Sequence, residues 1–130
     1  MADGFNIDSI IIITNRELKF SKIRKTSRNC EHHIPYHIVN NPIDAIKLIK
    51  EKNYIPVNLE ITSTSKPLSK INFSKMKKVA LIVGNENYGV SQEMLNLVET
   101  SAHIEMYGNN SSLNVSTALA IATYHISESL

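Results

Sequence analysis

The stretch VALIVGNENYGVS (residues 79–91) decides how the rest of the chain is read. Five apolar residues end at Gly84, a polar turn runs to Gly89, and Ser91 stands where a helix cap belongs. A continuous apolar run of this length, closed by glycine, is the pattern of a buried parallel strand. Ser91 then opens a helix carrying Met94, Leu95, Leu97 and Val98; its hydroxyl can accept from a first-turn amide. This strand–turn–helix unit has counterparts on both sides. Upstream, SIIIIT (residues 9–14), YHIV (36–39) and IPVNLEI (55–61) read as strands, the first buried on both faces. Asn41 and Pro42 open a helix with Ile43, Ala45, Ile46 and Ile49 on its apolar side. Downstream, residues 102–106 read as a last strand, residues 107–112 as a Gly-, Asn- and Ser-containing loop, and Asn114 as the start of a final helix. Residues 62–77 read as a long polar connection, of the kind that is often functional. Strands alternating with helices predict an α/β fold, a mainly parallel sheet flanked by helices.

Composition bounds the rest. At 130 residues the chain has one domain's worth of sequence, with little to spare for a second core. A formal charge of +2 excludes a histone-like or polyanionic protein, while leaving room for local basic patches. Apolar residues at 42% and charged residues at 20% argue against disorder. The lone Cys30 can form neither an internal disulfide nor a multi-cysteine zinc site, and fits a reducing cytoplasm. No apolar run approaches the roughly 20 residues that span a bilayer, and the N-terminus lacks the basic region of a signal peptide.

In parallel sheets, ligands gather beyond the C-terminal strand ends. Three candidate loops follow strands there: the residues after 61, residues 84–89, and residues 107–112. Gly84, Gly89 and Gly108 fall in two of them. Glycine lets backbone approach a ligand, although turn chemistry alone also explains its placement.

Two segments carry the reading further. The first is residues 79–91; the second is HIEMYGNNSSLNVS (residues 103–116). Together they resemble the second and third motifs of the SpoU/TrmH-type RNA ribose 2′-O-methyltransferases, within the SPOUT superfamily. Gly84, Glu86, Gly89, Ser91, Ile104, Met106, Gly108, Ser112, Leu113, Asn114, Val115 and Ser116 match that pattern in order and spacing. A weaker likeness covers RKTSRNCEHHIP (residues 24–35) and Ala2, Asp3, Gly4 and Phe5.

The resemblance implies a single methyltransferase domain over residues 1–130 with a deep C-terminal trefoil knot. It implies S-adenosylmethionine as cofactor, tRNA or rRNA as substrate and a homodimer as the working form. By the same carry-over, Leu59, Glu60, Ile61, Gly84, Asn85, Gly89, Ile104, Met106 and Leu113 are the cofactor residues. Glu86, Ser112 and Asn114 are the polar groups expected nearest the reacting centre. Displacement at a methyl carbon needs an aligned hydroxyl nucleophile and a route for its proton. Asn114 could equally cap the last helix with help from Ser112, and Glu86 could bond turn amides.

The chain departs from the family pattern at its start. The family's first motif carries an arginine that would lie just before Met1, so the chain reads as N-terminally truncated relative to the family, and none of Arg16, Arg24 and Arg28 stands in that motif. Glu105 replaces a proline beside the third motif, Asn6 a frequent glycine after Phe5, and Asn29 a glycine upstream. Lys22, Arg24, Lys25 and Arg28, among Ser and Thr residues, suit RNA phosphate contacts, or else form a solvated loop. Cys30, His32, His33 and His37 invite a metal reading, but the family has a similar Glu–His pair without a metal, so no metal site is expected. Two other function classes compete: a catalytically silent relative that keeps cofactor or RNA binding, and a generic doubly wound regulatory or nucleotide-binding domain. The absence of G-x-G-x-x-G after the first strand weighs against a dinucleotide version of the latter.

Overall fold

The structure is a computed structural model that describes residues 8–13, 35–85, 88–106 and 114–130. The Lys22, Arg24, Lys25 and Arg28 cluster, Cys30, His32, His33, Glu86, Ser112, Leu113 and the loop at 107–112 lie outside the described residues. Two compact units divide the chain, residues 1–47 and 48–130.

In the first unit, β1 (Ile10–Ile13) pairs in parallel with β2 (Tyr36–Val39), Ile10 opposite Tyr36 and Ile13 opposite Val39. The expectation that β1 is buried on both faces is not met: three of its residues are half-buried and Ile13 is 39% exposed. A β-branched run signals strand but does not say how many layers cover it.

Helix α1 (Pro42–Glu51) carries the chain from one unit to the next. Its start follows the sequence signal. Asn41 Oδ1 accepts from the Asp44 amide at 2.9 Å, and Asn41 Nδ2 donates back to Asp44 Oδ2 at 3.1 Å. Its end is a Schellman motif: Asn53 takes φ +64°, its amide donates to Lys50 O at 3.0 Å, and the Tyr54 amide donates to Ile49 O at 3.1 Å.

The second unit is built on a four-stranded parallel sheet. Its strands are β3 (Ile55–Leu59), β4 (Lys66–Pro67), β5 (Val79–Ile82) and β6 (Thr100–His103), in the order β4–β6–β3–β5. Helix α2 (Gln92–Leu97) joins β5 to β6, and α3 (Val115–Ser129) ends the chain. Ser91 Oγ accepts from the Met94 amide at 3.2 Å and Asn114 Oδ1 from the Ser116 amide at 2.8 Å, so both expected caps are in place. Val57, Leu68, Phe73, Ala102, Ala122 and Ile126 form one core cluster, with Leu59, Leu81 and Ile104 packed against it.

Three readings are corrected. Among the described strands β5, with the strongest apolar run, stands at the edge of its sheet with all four residues half-buried, whereas β3 lies between β5 and β6 and buries Val57 and Asn58 completely. β6 begins two residues earlier than expected and ends before Ile104. Residues 62–77 are not merely a polar connection. They hold β4 and two 3₁₀ turns, Leu68–Lys70 and Phe73–Lys75, and bury Leu68 and Phe73 in the core. Single apolar residues among Ser and Lys do not form a helix or strand period, so the pattern stays silent although each is a core residue.

Candidate functional site

β6, β3 and β5 are neighbours and parallel, so their C-terminal ends share one sheet edge. Glu60, one residue beyond β3, ties the three exits together. Its amide donates to Ala102 O of β6 at 2.9 Å. Its Oε2 accepts from the Val90 amide, in the loop after β5, at 2.9 Å, and its Oε1 from the Ile61 amide at 3.2 Å. A carboxylate accepting backbone amides is a strong acceptor because the bond is charge-assisted.

The loop after β5 is folded tightly enough to require its glycines. The Asn85 amide donates to Gly89 O at 3.2 Å, and the Gly89 amide returns to Asn85 O at 2.8 Å. A Cβ on Gly84 would fall 2.0 Å from the Gly89 carbonyl carbon and 2.2 Å from the Val90 nitrogen. Gly89 takes φ +69°, and a Cβ there would fall 2.2 Å from Glu60 Oε2. Gly84 is closed in by backbone and Gly89 by the Glu60 carboxylate, so neither position has room for a side chain of its own.

The remaining expected residues sort by position. Leu59 and Ile104 are half-buried and pack on the core at the ends of β3 and β6. Ile61 and Met106 are 57% and 38% exposed. Asn114 is the α3 cap. The four basic residues of the 22–28 segment, Glu86, Ser112 and Leu113 lie outside the described residues.

Two features escaped the sequence reading. Ser65 Oγ sits 2.9 Å from His103 Nδ1, donates to Thr62 O at 3.0 Å and accepts from the Thr62 amide at 2.9 Å. The imidazole tautomer decides which of Ser65 Oγ and His103 Nδ1 donates in this bond. The pair locks the turn at residues 62–65 to the end of β6, directly before Ile104. The second is Asn58, fully buried with neither amide atom hydrogen-bonded. Its signal was present: a neutral polar residue inside the apolar run IPVNLEI, in the strand that proves central. Among the described residues no group of three His, Cys, Asp or Glu side chains could hold a metal ion, and no helix is long and apolar enough to cross a membrane.

Against known proteins, the model of the SpoU rRNA Methylase family matches residues 1–124. The chain belongs to this family. It is 30% identical over 128 residues to the 23S rRNA (guanosine(2553)-2′-O)-methyltransferase RlmP of Bacillus subtilis (strain 168), covering 96% of this chain and 49% of that protein. It is 37% identical over 89 residues to the tRNA (guanosine(18)-2′-O)-methyltransferase of Aquifex aeolicus (strain VF5), covering 66% and 40%. The chain thus spans about half the length, or less, of these curated relatives. In fold, this SpoU-family chain is similar to the A. aeolicus TrmH/SpoU tRNA modifying enzyme, with TM-score 0.78, 23% identity, and coverage of 98% and 64%. It is also similar to AviRb of Streptomyces viridochromogenes in complex with AdoMet, with TM-score 0.81, 20% identity, and coverage of 98% and 49%.

Proposed function

We propose that this SpoU-family chain carries the cofactor-binding and methyl-transfer part of an S-adenosylmethionine-dependent ribose 2′-O-methyltransferase. Its substrate is tRNA or rRNA in the cytoplasm. It works as a homodimer, with the C-terminal loops drawn into the family's trefoil knot. The observation that carries this reading is the linkage through Glu60, which holds the exits of β3, β5 and β6 at one sheet edge.

The donor set at that edge suits the cofactor. An uncharged adenine needs directional hydrogen bonds inside a mostly apolar pocket. The carbonyls of Asn85 and Gly89 keep a second lone pair beyond their bonds to each other's amides, while Leu59 and Ile104 offer apolar walls. Glu60, Ile61, Met106 and Leu113 complete the proposed pocket, with Glu60 acting through the backbone it holds. When bound, S-adenosylmethionine would supply an electrophilic methyl group for a ribose 2′-oxygen. Ser112 and Asn114 orient the 2′-hydroxyl, and Glu86 orders the loop or a cationic partner. Lys22, Arg24, Lys25 and Arg28 position the RNA backbone. Two relatives, the B. subtilis and A. aeolicus 2′-O-methyltransferases, support the reaction class.

Calorimetric titration of the 130-residue chain with S-adenosylmethionine and S-adenosylhomocysteine tests the reading. Saturable binding near one site per subunit is expected, followed by transfer of labelled methyl to RNA ribose. A folded sample that binds neither compound refutes the proposal. Cofactor binding without transfer to any RNA identifies a catalytically silent relative.

A further inference from the structure

The net charge of +2 conceals a concentrated basic segment. Residues 61–85 contain Lys66, Lys70, Lys75, Lys77 and Lys78 and no Asp or Glu. Two of these lysines line a cleft of about 250 Å³ along the β4–β6 side of the sheet. Lys66 stands on the edge strand β4 and Lys70 ends the following 3₁₀ turn; both are exposed. Thr64, Asn72, Thr100 and Ser101 add hydroxyl and amide groups around them, over an apolar floor of Ile71 and Met76. Asn72 Oδ1 accepts from the Ser74 hydroxyl, which leaves its Nδ2 to donate elsewhere. Among the described residues, Glu99 is the one carboxylate lining the cleft.

We propose that this cleft is a second phosphate-backbone subsite for the RNA, separate from the cofactor edge; the proposal rests on the RNA-methyltransferase reading above. Ligand pockets usually enclose about 300–1,000 Å³, so this cleft is small for a whole nucleoside cofactor yet open enough for a phosphodiester. Lys ammonium groups together with Ser, Thr and Asn donors are the set that contacts phosphates and fixes register without reading bases. A lysine on an edge strand also discourages strand addition, but that role asks nothing of Lys70, Asn72 or the hydroxyls. The cleft takes Thr100 and Ser101 from the first half of β6 and Lys66 from beside Ala102, whereas the proposed cofactor walls follow the end of β6 at His103. RNA engaged by both therefore runs along the β4–β6 side of the sheet.

The test uses the 130-residue chain, unfractionated bacterial tRNA as probe, and fluorescence anisotropy between 50 and 200 mM salt. Losing two lysine–phosphate contacts in K66A/K70A lowers the slope of log affinity against log salt by about 1.4. The affinity ratio of parent to variant then shrinks about sevenfold between the two salt concentrations. Glu99→Gln strengthens binding, because it removes the opposing charge. K47A/K50A, an equal charge change at exposed positions of α1, leaves the slope nearly unchanged. Equal losses in the two double variants, an unchanged slope in K66A/K70A, or no binding of tRNA by the parent chain each overturn the proposal. S-adenosylmethionine titration of the same samples separates the two readings: cofactor binding that persists in K66A/K70A with an unchanged salt slope rejects the cleft alone, and its absence from the parent rejects the methyltransferase reading.

Discussion

Gly89→Ala and Glu60→Ala are predicted to be strongly non-additive. Gly89 sits at φ +69°, where an alanine costs about 1–2 kcal/mol of backbone strain. The new Cβ would also fall 2.2 Å from Glu60 Oε2, so the carboxylate must leave the Val90 amide it holds at 2.9 Å. A hydrogen bond to a charged group contributes about 1.5–3 kcal/mol. Gly89→Ala alone should therefore destabilise by about 2.5–5 kcal/mol, a large part of a domain's typical 5–15 kcal/mol. Three Glu60 atoms are the nearest neighbours of that Cβ, and the third is already at an ordinary contact distance of 3.7 Å. With Glu60→Ala in place the clash is gone and the Val90 bond already lost, so Gly89→Ala should then cost only the strain, about 1–2 kcal/mol. Urea unfolding of the four proteins reads the coupling directly. If Gly89→Ala costs the same in both backgrounds, to within about 0.5 kcal/mol, the carboxylate does not clamp the loop and the reasoning fails.

Other outcomes follow from the same geometry. Asn58→Leu, close in shape to asparagine, removes a fully buried amide with no partner and should stabilise by about 1–3 kcal/mol in thermal unfolding; a loss of stability would reveal a partner for Asn58. Phe73→Ala empties a core position that is 1% exposed and packs edge-on against His125 at 5.9 Å, so it should cost about 3–5 kcal/mol, against about 0.5 kcal/mol or less for a true surface loop residue. Asn114→Asp keeps an acceptor for the Ser116 amide and should leave unfolding unchanged while lowering methyl transfer; Asn114→Ala should additionally lose about 1 kcal/mol of cap stability. Full methyl transfer by the Asp variant would leave Asn114 as a cap alone.

What the sequence made legible was local chemistry. Asn41, Ser91 and Asn114 cap helices because each side chain reaches an amide two or three residues away, and such pairs can be read along the chain. The run at residues 79–82 was rightly a strand, yet its place at the sheet edge depends on which neighbours it finds, and hydrophobicity does not order strands. The interior strands proved to be β3 and β6, and Asn58 and Glu60 had made β3 look less buried than β5. Leu68 and Phe73 were missed for a related reason: they reach the core from 3₁₀ turns too short to build a period. At the site, Gly84 and Gly89 were recognisable as turn glycines; the demand on Gly84 arises within the turn itself, from Gly89 and Val90, whereas that on Gly89 comes from Glu60 across the sheet. Glu60 meets Val90 across thirty residues, and Ser65 meets His103 across thirty-eight. Both long-range bonds join the exits of neighbouring parallel strands, which must lie far apart in sequence because a parallel crossover takes a dozen or more residues. The chain therefore shows which residue types stand at each strand exit, while the bonds that fuse the exits into one edge become visible only once the strands are ordered.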